Sequence, residues 1–352
     1  MRRIVMLFTM MLASIVIVQA QRWSEEKVNR WYKNQTWQRG CNFIPSNAIN
    51  QLEMWQEETF SPRLIDKELS WAKELGFNCM RVYLHHVAWE IDSKGFKERV
   101  EKYLEIADKY GIKTIFVFFD DCWNATYKTG IQPEPVMGKH NSGWLRDPGD
   151  LLFEDPNSIS VLEEYVTDIL KTFKKDERIL VWDLYNEPGN SKYNVCSLPL
   201  LRSVFAWARK VNPSQPLTSG LWNKGLNKSL TQFQLKNSDV ISYHNYSNVK
   251  NHQRAIDSLQ TYNRPLFCTE YMARKFESTF QNIMPLLKNN KVAAINWGLV
   301  SGKTNTIYPW KNKQDNEQEP ELWFHDILRQ NKSPFSKEEV DFIKDITNGD
   351  NE

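Results

Sequence analysis

Ile179-Leu180-Val181-Trp182-Asp183-Leu184-Tyr185-Asn186-Glu187-Pro188 decides how this chain is read. The run from Ile179 to Tyr185 is nearly all apolar, of strand length, and built of β-branched, aliphatic and aromatic residues. Such a run suits a strand buried on both faces. It closes on an amide and a carboxylate, and Pro188 stops it. A strand that is apolar along its length and polar at one end belongs to a parallel sheet covered by helices.

Seven other runs share this character: Gly40–Pro45, Cys79–His86, Ile112–Phe119, Pro216–Trp222, Val240–Tyr246, Pro265–Tyr271 and Ala293–Val300. Amphipathic segments lie between them. Ser61-Pro62 opens one with Pro at the first helical position, and its stripe of Leu64, Ile65, Leu69, Trp71, Ala72 and Leu75 ends at Gly76. Phe96–Tyr110, Pro156–Phe173, Leu198–Val211, His252–Tyr262, Phe276–Leu287 and Pro320–Leu328 read as helices, and Lys337–Ile346 as a final capping helix. The pattern of Asn223–Lys236 is too weak to assign. Eight buried-type strands, nearly all followed by a helix, predict an α/β fold, a (β/α)8 TIM barrel. The runs recur about every 36 residues, which fits a barrel of about 250 residues with its surplus in long loops. Those loops are Asp120–Asp155 after strand 3 and Ser301–Glu319 after strand 8. A doubly wound sheet normally carries a Gly-rich phosphate turn after strand 1, and Asn42-Phe43-Ile44-Pro45-Ser46 has none.

The chain has 352 residues, of which 41% are hydrophobic and 25% charged, an ordinary globular balance. A net charge of +2 leaves no basic footprint for nucleic acid. Arg2 and Arg3 precede an apolar run from Ile4 to Val18, and Val18-Gln19-Ala20 offers the small residues a signal peptidase reads. This predicts a signal peptide over 1–20 and a single catalytic domain over 21–352. The expected product is secreted or periplasmic, monomeric, and off the membrane after cleavage. The competing reading is a membrane anchor, but the run is short for a span and charge begins at Arg22. Five Cys are too few for a disulfide framework. Cys79, Cys122 and Cys268 read as buried free thiols, with room for one bridge of open pairing.

In a barrel of this kind, catalytic groups stand at the C-terminal ends of the strands. Strand 2 contains Arg81 and ends at His85-His86; strand 3 ends at Asp120-Asp121; strand 4 ends at Asn186-Glu187-Pro188; strand 5 ends at Trp222. Strand 6 ends at Tyr243-His244-Asn245-Tyr246, strand 7 at Thr269-Glu270-Tyr271, and strand 8 contains Asn296 and Trp297. Glu187 and Glu270 are separated by about three βα repeats, so they would face each other across the barrel mouth. Paired carboxyls are the machinery of glycoside hydrolysis, one protonating the leaving oxygen while the other attacks or activates water.

Trp182-Asp183-Leu184-Tyr185-Asn186-Glu187-Pro188, together with Thr269-Glu270-Tyr271, resembles the glycoside hydrolases of clan A. With Arg81, His244, Tyr246 and Trp297 added, the layout is most similar to family 5, the cellulase and mannanase type, from about Arg39 to Leu328. The resemblance implies a retaining glycosidase that hydrolyses O-glycosyl bonds of a poly- or oligosaccharide without metal or organic cofactor. Glu187 would be its general acid/base and Glu270 its nucleophile. Asn186 would bond the sugar 2-hydroxyl, and Tyr246 and Arg81 would keep the nucleophile ionised and oriented. His244 would lie near the acid/base, and Trp297 under the sugar at the cleavage point.

The chemistry agrees with these roles. A general acid needs burial or a neighbouring negative charge to stay protonated, and a nucleophile beside a guanidinium stays ionised. Sugars present apolar C–H faces to flat rings, which makes Trp123, Trp144, Trp222 and Trp310 candidate cleft walls. Family 5 usually places a His at the end of strand 3, where this chain has Asp120-Asp121-Cys122-Trp123. The nearest stand-in is His86 or His85 on strand 2. On a continuing strand the two point to opposite faces, and His86 has the parity that faces the cleft.

Asp183 and Asn296 read as hydrogen-bonding groups inside the barrel. Trp31, Trp37, Trp71, Trp182, Trp207 and Trp323 read as core or helix-face residues, and His140, His252 and His325 as surface or helix residues. Two rival functions differ in class. A non-catalytic carbohydrate-binding barrel would keep the aromatics and lose one acid. A barrel enzyme on phosphorylated metabolites would need a Gly-rich phosphate loop after strand 7 or 8, where Met272-Ala273-Arg274 and Ser301-Gly302-Lys303 are poor candidates. Sugar identity, linkage and endo or exo action stay open.

Overall fold

The computed structural model describes residues 21–150, 155, 157–190, 194–222, 227–311 and 318–348; the predicted leader, 1–20, lies outside them. Eight strands form one parallel sheet: β1 (Arg39–Asn42), β2 (Cys79–Tyr83), β3 (Lys113–Asp120), β4 (Ile179–Asn186), β5 (Leu217–Thr218), β6 (Ile241–His244), β7 (Leu266–Glu270) and β8 (Ala293–Trp297). Their order is β5-β4-β3-β2-β1-β8-β7-β6. The seam between β5 and β6 is bridged in parallel by Leu221 and Tyr243. There Leu221 N donates to Ser242 O at 3.0 Å and His244 N to Leu221 O at 2.8 Å. The sheet therefore closes into the expected (β/α)8 barrel.

The helices are α1 (Glu25–Lys33), α2 (Gln51–Trp55), α3 (Pro62–Glu74), α4 (His86–Ile91), α5 (Ser93–Lys109), α6 (Ser158–Phe173), α7 (Leu198–Val211), α8 (Lys228–Asn237), α9 (Val249–Gln260), α10 (Phe280–Asn289) and α11 (Lys337–Asn348). Their ends follow local chemistry. Pro62 starts α3 and Gly76, at φ +75°, lies just past its end. Asp92 caps α5 by accepting from Gly95 N. α8 lies in the stretch whose pattern was too weak to assign. Tertiary contact holds it, with Leu230 and Leu235 buried and Gln234 Nε2 donating to Ser219 O and Gly220 O. Among the described residues no helix is long and apolar enough to cross a membrane.

The helix expected over Pro320–Leu328 does not form. Its carbonyls are taken from outside: the buried Arg274 guanidinium donates to Trp323 O, His325 O and Asp326 O. Phe324 N meanwhile donates to Ile307 O and Leu328 N to Leu299 O. Within a helix Trp323 O, Phe324 N and Leu328 N would have paired inside the segment, and here the outside partners take them, leaving an irregular wall over the barrel mouth. His325 is consequently fully buried and His140 is buried too, neither on the surface nor on a helix as expected, whereas His252 lies on helix α9 as expected, with its side chain buried.

Strand alternation sorts the core. Met80, Val82, Phe116, Phe118, Trp182 and Leu184 belong to the large cluster between sheet and helices. Cys79, Ile115, Val181, Phe267 and Ile295 form an inner layer that packs on Trp23 and Val28, so α1 plugs the N-terminal mouth. Tyr83, Val117, Trp144 and Trp297 form a second inner layer near the other mouth. Trp71, Trp182, Trp207 and Trp323 are buried as expected, and Trp31 and Trp37 pack against the clusters. All five cysteines are free thiols.

The barrel axis also holds a charge. Arg81 and Asp183 are both fully buried, and the guanidinium meets Asp183 Oδ2 through Nε at 3.0 Å and Nη2 at 2.7 Å. Removing one partner leaves an uncompensated charge in the interior. Asp183→Ala is expected to lower unfolding free energy by about 3–5 kcal/mol, read from urea denaturation; a loss under about 1 kcal/mol would contradict this structural role.

Candidate active site

A cleft of about 960 Å³ opens at the C-terminal mouth, and Glu187 and Glu270 both line it. Two local distortions aim them there. Glu187 has φ +45°, a left-handed conformation rare for a residue with a side chain, and Pro188 and Gly189 (φ +85°) follow it out of β4. Trp123 and Met272, at the same rim, share this conformation (φ +68° and +74°). Glu270 is aimed by a register shift. Tyr243 pairs with Cys268 but His244 pairs with Glu270, so Thr269 is the extra residue of a bulge. Strict alternation would have turned Glu270 outward with Cys268, and the bulge turns it inward.

The two carboxyls and one imidazole form a compact set, with one ligand-type atom from each of Glu187, His244 and Glu270 within 4.8 Å of the others. His244 Nδ1 lies 2.5 Å from Glu187 Oε1 and 3.5 Å from Glu270 Oε2. Gly220 faces the other edge of this ring, where a Cβ would stand 3.1 Å from His244 Nε2. Glu270 receives Tyr246 OH at 2.7 Å on Oε2, and Arg81 Nη1 at 3.3 Å and Tyr83 OH at 3.4 Å on Oε1. Glu187 Oε2 instead receives two neutral donors, Asn190 Nδ2 and, at 3.3 Å, Cys122 Sγ.

Asn186 is locked on both sides of its amide. Its Oδ1 accepts from Arg81 Nη2 at 2.6 Å, and its Nδ2 donates to Asp120 Oδ1 at 2.8 Å. Asp120 Oδ2 accepts from Trp144 Nε1 at 2.8 Å, so this carboxyl ties the long loop after β3 to the end of β4. Trp144 and Trp297 meet edge to face at 5.4 Å and form the cleft floor. Trp123, Trp222 and Trp310 line the walls. Trp123 stacks on His140 at 5.3 Å, and Trp310 packs edge-on against Tyr246 at 4.9 Å.

His86 is the sequence-predicted residue that the structure keeps out of the cleft. Arg81 and Tyr83 face the barrel interior, so alternation along β2 gives that face to His85 and not to His86, and β2 in any case ends at Tyr83, where the chain turns into α4. Its backbone N donates to Asp147 Oδ2 at 2.8 Å and its ring Nδ1 bonds Asp147 Oδ1. His85 stacks on it at 5.4 Å, also fully buried. His85, His86 and Asp147 are of metal-ligating types, but here they pin the loop after β3 behind the cleft. Tyr83 fills the rim position at the end of β2. Its place two residues after Arg81 was the available signal. Cys122, His140 and Asn190 also line the cleft, and no spacing pointed to them.

The family model for Cellulase (glycosyl hydrolase family 5) matches residues 38–303. The chain belongs to glycosyl hydrolase family 5. It is therefore a glycosidase that hydrolyses O-glycosyl bonds, and its substrate is a carbohydrate. Among curated proteins none matches significantly. Solved structures similar in fold include GH5_18 from Streptomyces cattleya in complex with GlcNAc, with TM-score 0.59, 13% identity, and 89% of this chain and 79% of that chain covered. The hyperthermostable endo-1,4-β-D-mannanase from Thermotoga petrophila RKU-1 matches with TM-score 0.56, 13% identity and coverage of 89% and 99%. An exo-β-1,4-mannosidase from Opitutaceae bacterium strain TAV5 matches with TM-score 0.60, 15% identity and coverage of 90% and 60%.

In this family 5 cleft, burial pushes Glu270 up to about 6, the nearby Glu187 charge adds to the rise, and His244, Arg81 and Tyr246 oppose it. Burial also raises Glu187, against the pull of its Asn190 and Cys122 bonds. Two such carboxyls titrate as a pair. Glu270 faces a guanidinium and two phenols while the donors on Glu187 Oε2 are neutral, surroundings that favour the charge on Glu270 and the proton on Glu187. Burial lowers His244 to about 4, so its ring is neutral near pH 7. Asp120 is pushed up to about 7, again by burial. Tyr246→Phe removes a donor from the Glu270 carboxylate and so destabilises the anion. The Glu270 midpoint should rise by about 1 pH unit in a carbon-13 NMR titration, and an unchanged or lower midpoint would contradict the assigned bond.

Proposed function

We propose that this family 5 enzyme is an exported, retaining glycosidase with Glu270 as nucleophile and Glu187 as acid/base. The observation that carries the reading is a close carboxyl pair in unequal surroundings, one oxygen of each within 4.8 Å. Retention needs carboxyls roughly 5–5.5 Å apart, whereas inversion needs about 6.5–9.5 Å to seat a water between acid and base. The close spacing favours retention.

In the first step a Glu270 oxygen attacks the anomeric carbon. The glycosidic C–O bond breaks, and the Glu187 proton passes to the leaving oxygen. In the second step water gives a proton to Glu187 and its oxygen attacks the anomeric carbon. That breaks the bond to Glu270 and restores both carboxyls. Arg81, Tyr83 and Tyr246 hold the nucleophile ionised, and neutral His244 shares the Glu187 Oε1 proton between turnovers. Asn186 keeps one amide hydrogen facing only the Cys122 sulfur at 3.6 Å, a weak partner that a sugar 2-hydroxyl would replace. Trp297 and Trp144 lie under the sugar at the cleavage point, and Trp123, Trp222 and Trp310 flank its neighbours.

The substrate class is a neutral poly- or oligosaccharide. Similarity to a mannanase and a mannosidase makes β-1,4-linked mannosides the first compounds to assay. Export rests on Arg2-Arg3, the apolar run and Val18-Gln19-Ala20. Protein recovered from the medium or periplasm should begin at Gln21 by mass spectrometry, and an intact Met1 would overturn export by cleavage.

Glu270→Ala should abolish turnover with circular dichroism unchanged; activity within about tenfold of wild type would remove Glu270 from its role. Glu187→Ala should keep slow turnover of an aryl glycoside and be partly rescued by azide, which replaces water without needing a base. Absence of rescue would count against Glu187. The wild-type kcat/KM should fall as pH drops through about 6, where Glu270 gains its proton.

A further inference from the structure

The cleft contains a thiol that takes no part in the two displacement steps. Cys122 follows β3 and lines the cleft, and its Sγ lies 3.3 Å from Glu187 Oε2, 3.4 Å from Asn190 Nδ2 and 3.6 Å from Asn186 Nδ2. Its backbone N donates to Asp120 Oδ1 at 3.0 Å, which fixes where the sulfur sits. Burial, with Asp120 and Glu187 adding to it, holds the thiol well above its ordinary range, so it carries its hydrogen. Two amide N–H groups point at the sulfur, leaving S–H to Glu187 as its own donation.

We infer that Cys122 is a positioning residue for the acid/base: with Asn190 it occupies Glu187 Oε2 with donors, so that Oε1 carries the transferable proton. The inference rests on the reading of Glu187 as the acid/base. Both donors converge on Oε2, and a protonated oxygen there would oppose them. Oε1 faces His244 Nδ1 and the Glu270 side of the cleft, where a scissile oxygen would lie. The titratable and charged groups facing Glu187 are Cys122 and Asp121 after β3, Arg81 on β2, His244 and Tyr246 at β6, and Glu270 on β7. Cys122 is the member of this set that a single substitution converts from donor to non-donor without removing a charge or an aromatic ring. Cys122→Ser restores a donor.

The test follows the Glu187 carboxyl directly, by carbon-13 NMR titration of glutamate-labelled protein, with the signal assigned by Glu187→Gln. Cys122→Ala and Cys122→Val both remove the donor, and Val fills the space of the sulfur if Ala does not fold. Losing a donor destabilises the carboxylate, so the Glu187 midpoint should rise by about half a pH unit or more in both and return toward wild type in Cys122→Ser. The alkaline limb of kcat/KM should move up with it. Equal midpoints in wild type, Ala or Val, and Ser would overturn the positioning role while leaving Glu187 as acid/base intact. Wild-type turnover in Glu187→Gln would instead overturn the acid/base reading, whatever the titration shows.

Discussion

One guanidinium with no solvent exposure holds four strands to a single point. Arg81 on β2 reaches Asn42 on β1, Asp183 and Asn186 on β4, and Glu270 on β7, and it also donates to Tyr83 OH at 2.6 Å. A charge in a barrel interior is tolerable only when its donors are matched by acceptors. Burial opposes the charge on Arg81, but Tyr83, Asp183 and Glu270 outweigh it. The position of the guanidinium fixes the Asn186 amide and biases Glu270 toward the anion. The stability of the barrel and the chemistry of its mouth therefore share one residue.

That bias makes two like residues unlike. Glu187 and Glu270 are both buried and both raised in pKa by burial. Around Glu270 the partners carry charge or strongly donating hydroxyls; around Glu187 Oε2 they are an amide and a thiol. Asp120 stands where family 5 usually places a histidine. It spends its acceptors on Trp144, Asn186 and the Cys122 backbone. Its neighbour Asp121 bonds Tyr185, Ser197 and the Gly189 backbone, which holds the loop that brings Asn190 onto Glu187.

The barrel was legible because a strand buried on both faces has a simple signature, and eight such runs lay at barrel spacing. Glu187, Glu270, Arg81, Asn186, His244, Tyr246, Trp297, Trp123, Trp144 and Trp222 all meet at the mouth or just beneath it, because residues at strand ends share one rim. What was not legible depended on contacts between distant segments. Pro320–Leu328 has helical periodicity but yields its carbonyls to Arg274. His86 shares the parity of Val82, which packs against the helices, and not that of Arg81 and Tyr83, and Asp147 holds it at a helix start. The bulge at Thr269, the left-handed turn at Glu187 and the placement of Cys122 leave no periodic trace, since each is imposed by packing.

The central claim is that the two carboxyls are close enough, and different enough, to act by covalent displacement. Proton NMR of the first product formed from a β-linked oligosaccharide the enzyme cleaves tests this most directly. Double displacement gives the β-anomer before mutarotation. First appearance of the α-anomer would show single displacement and contradict the account.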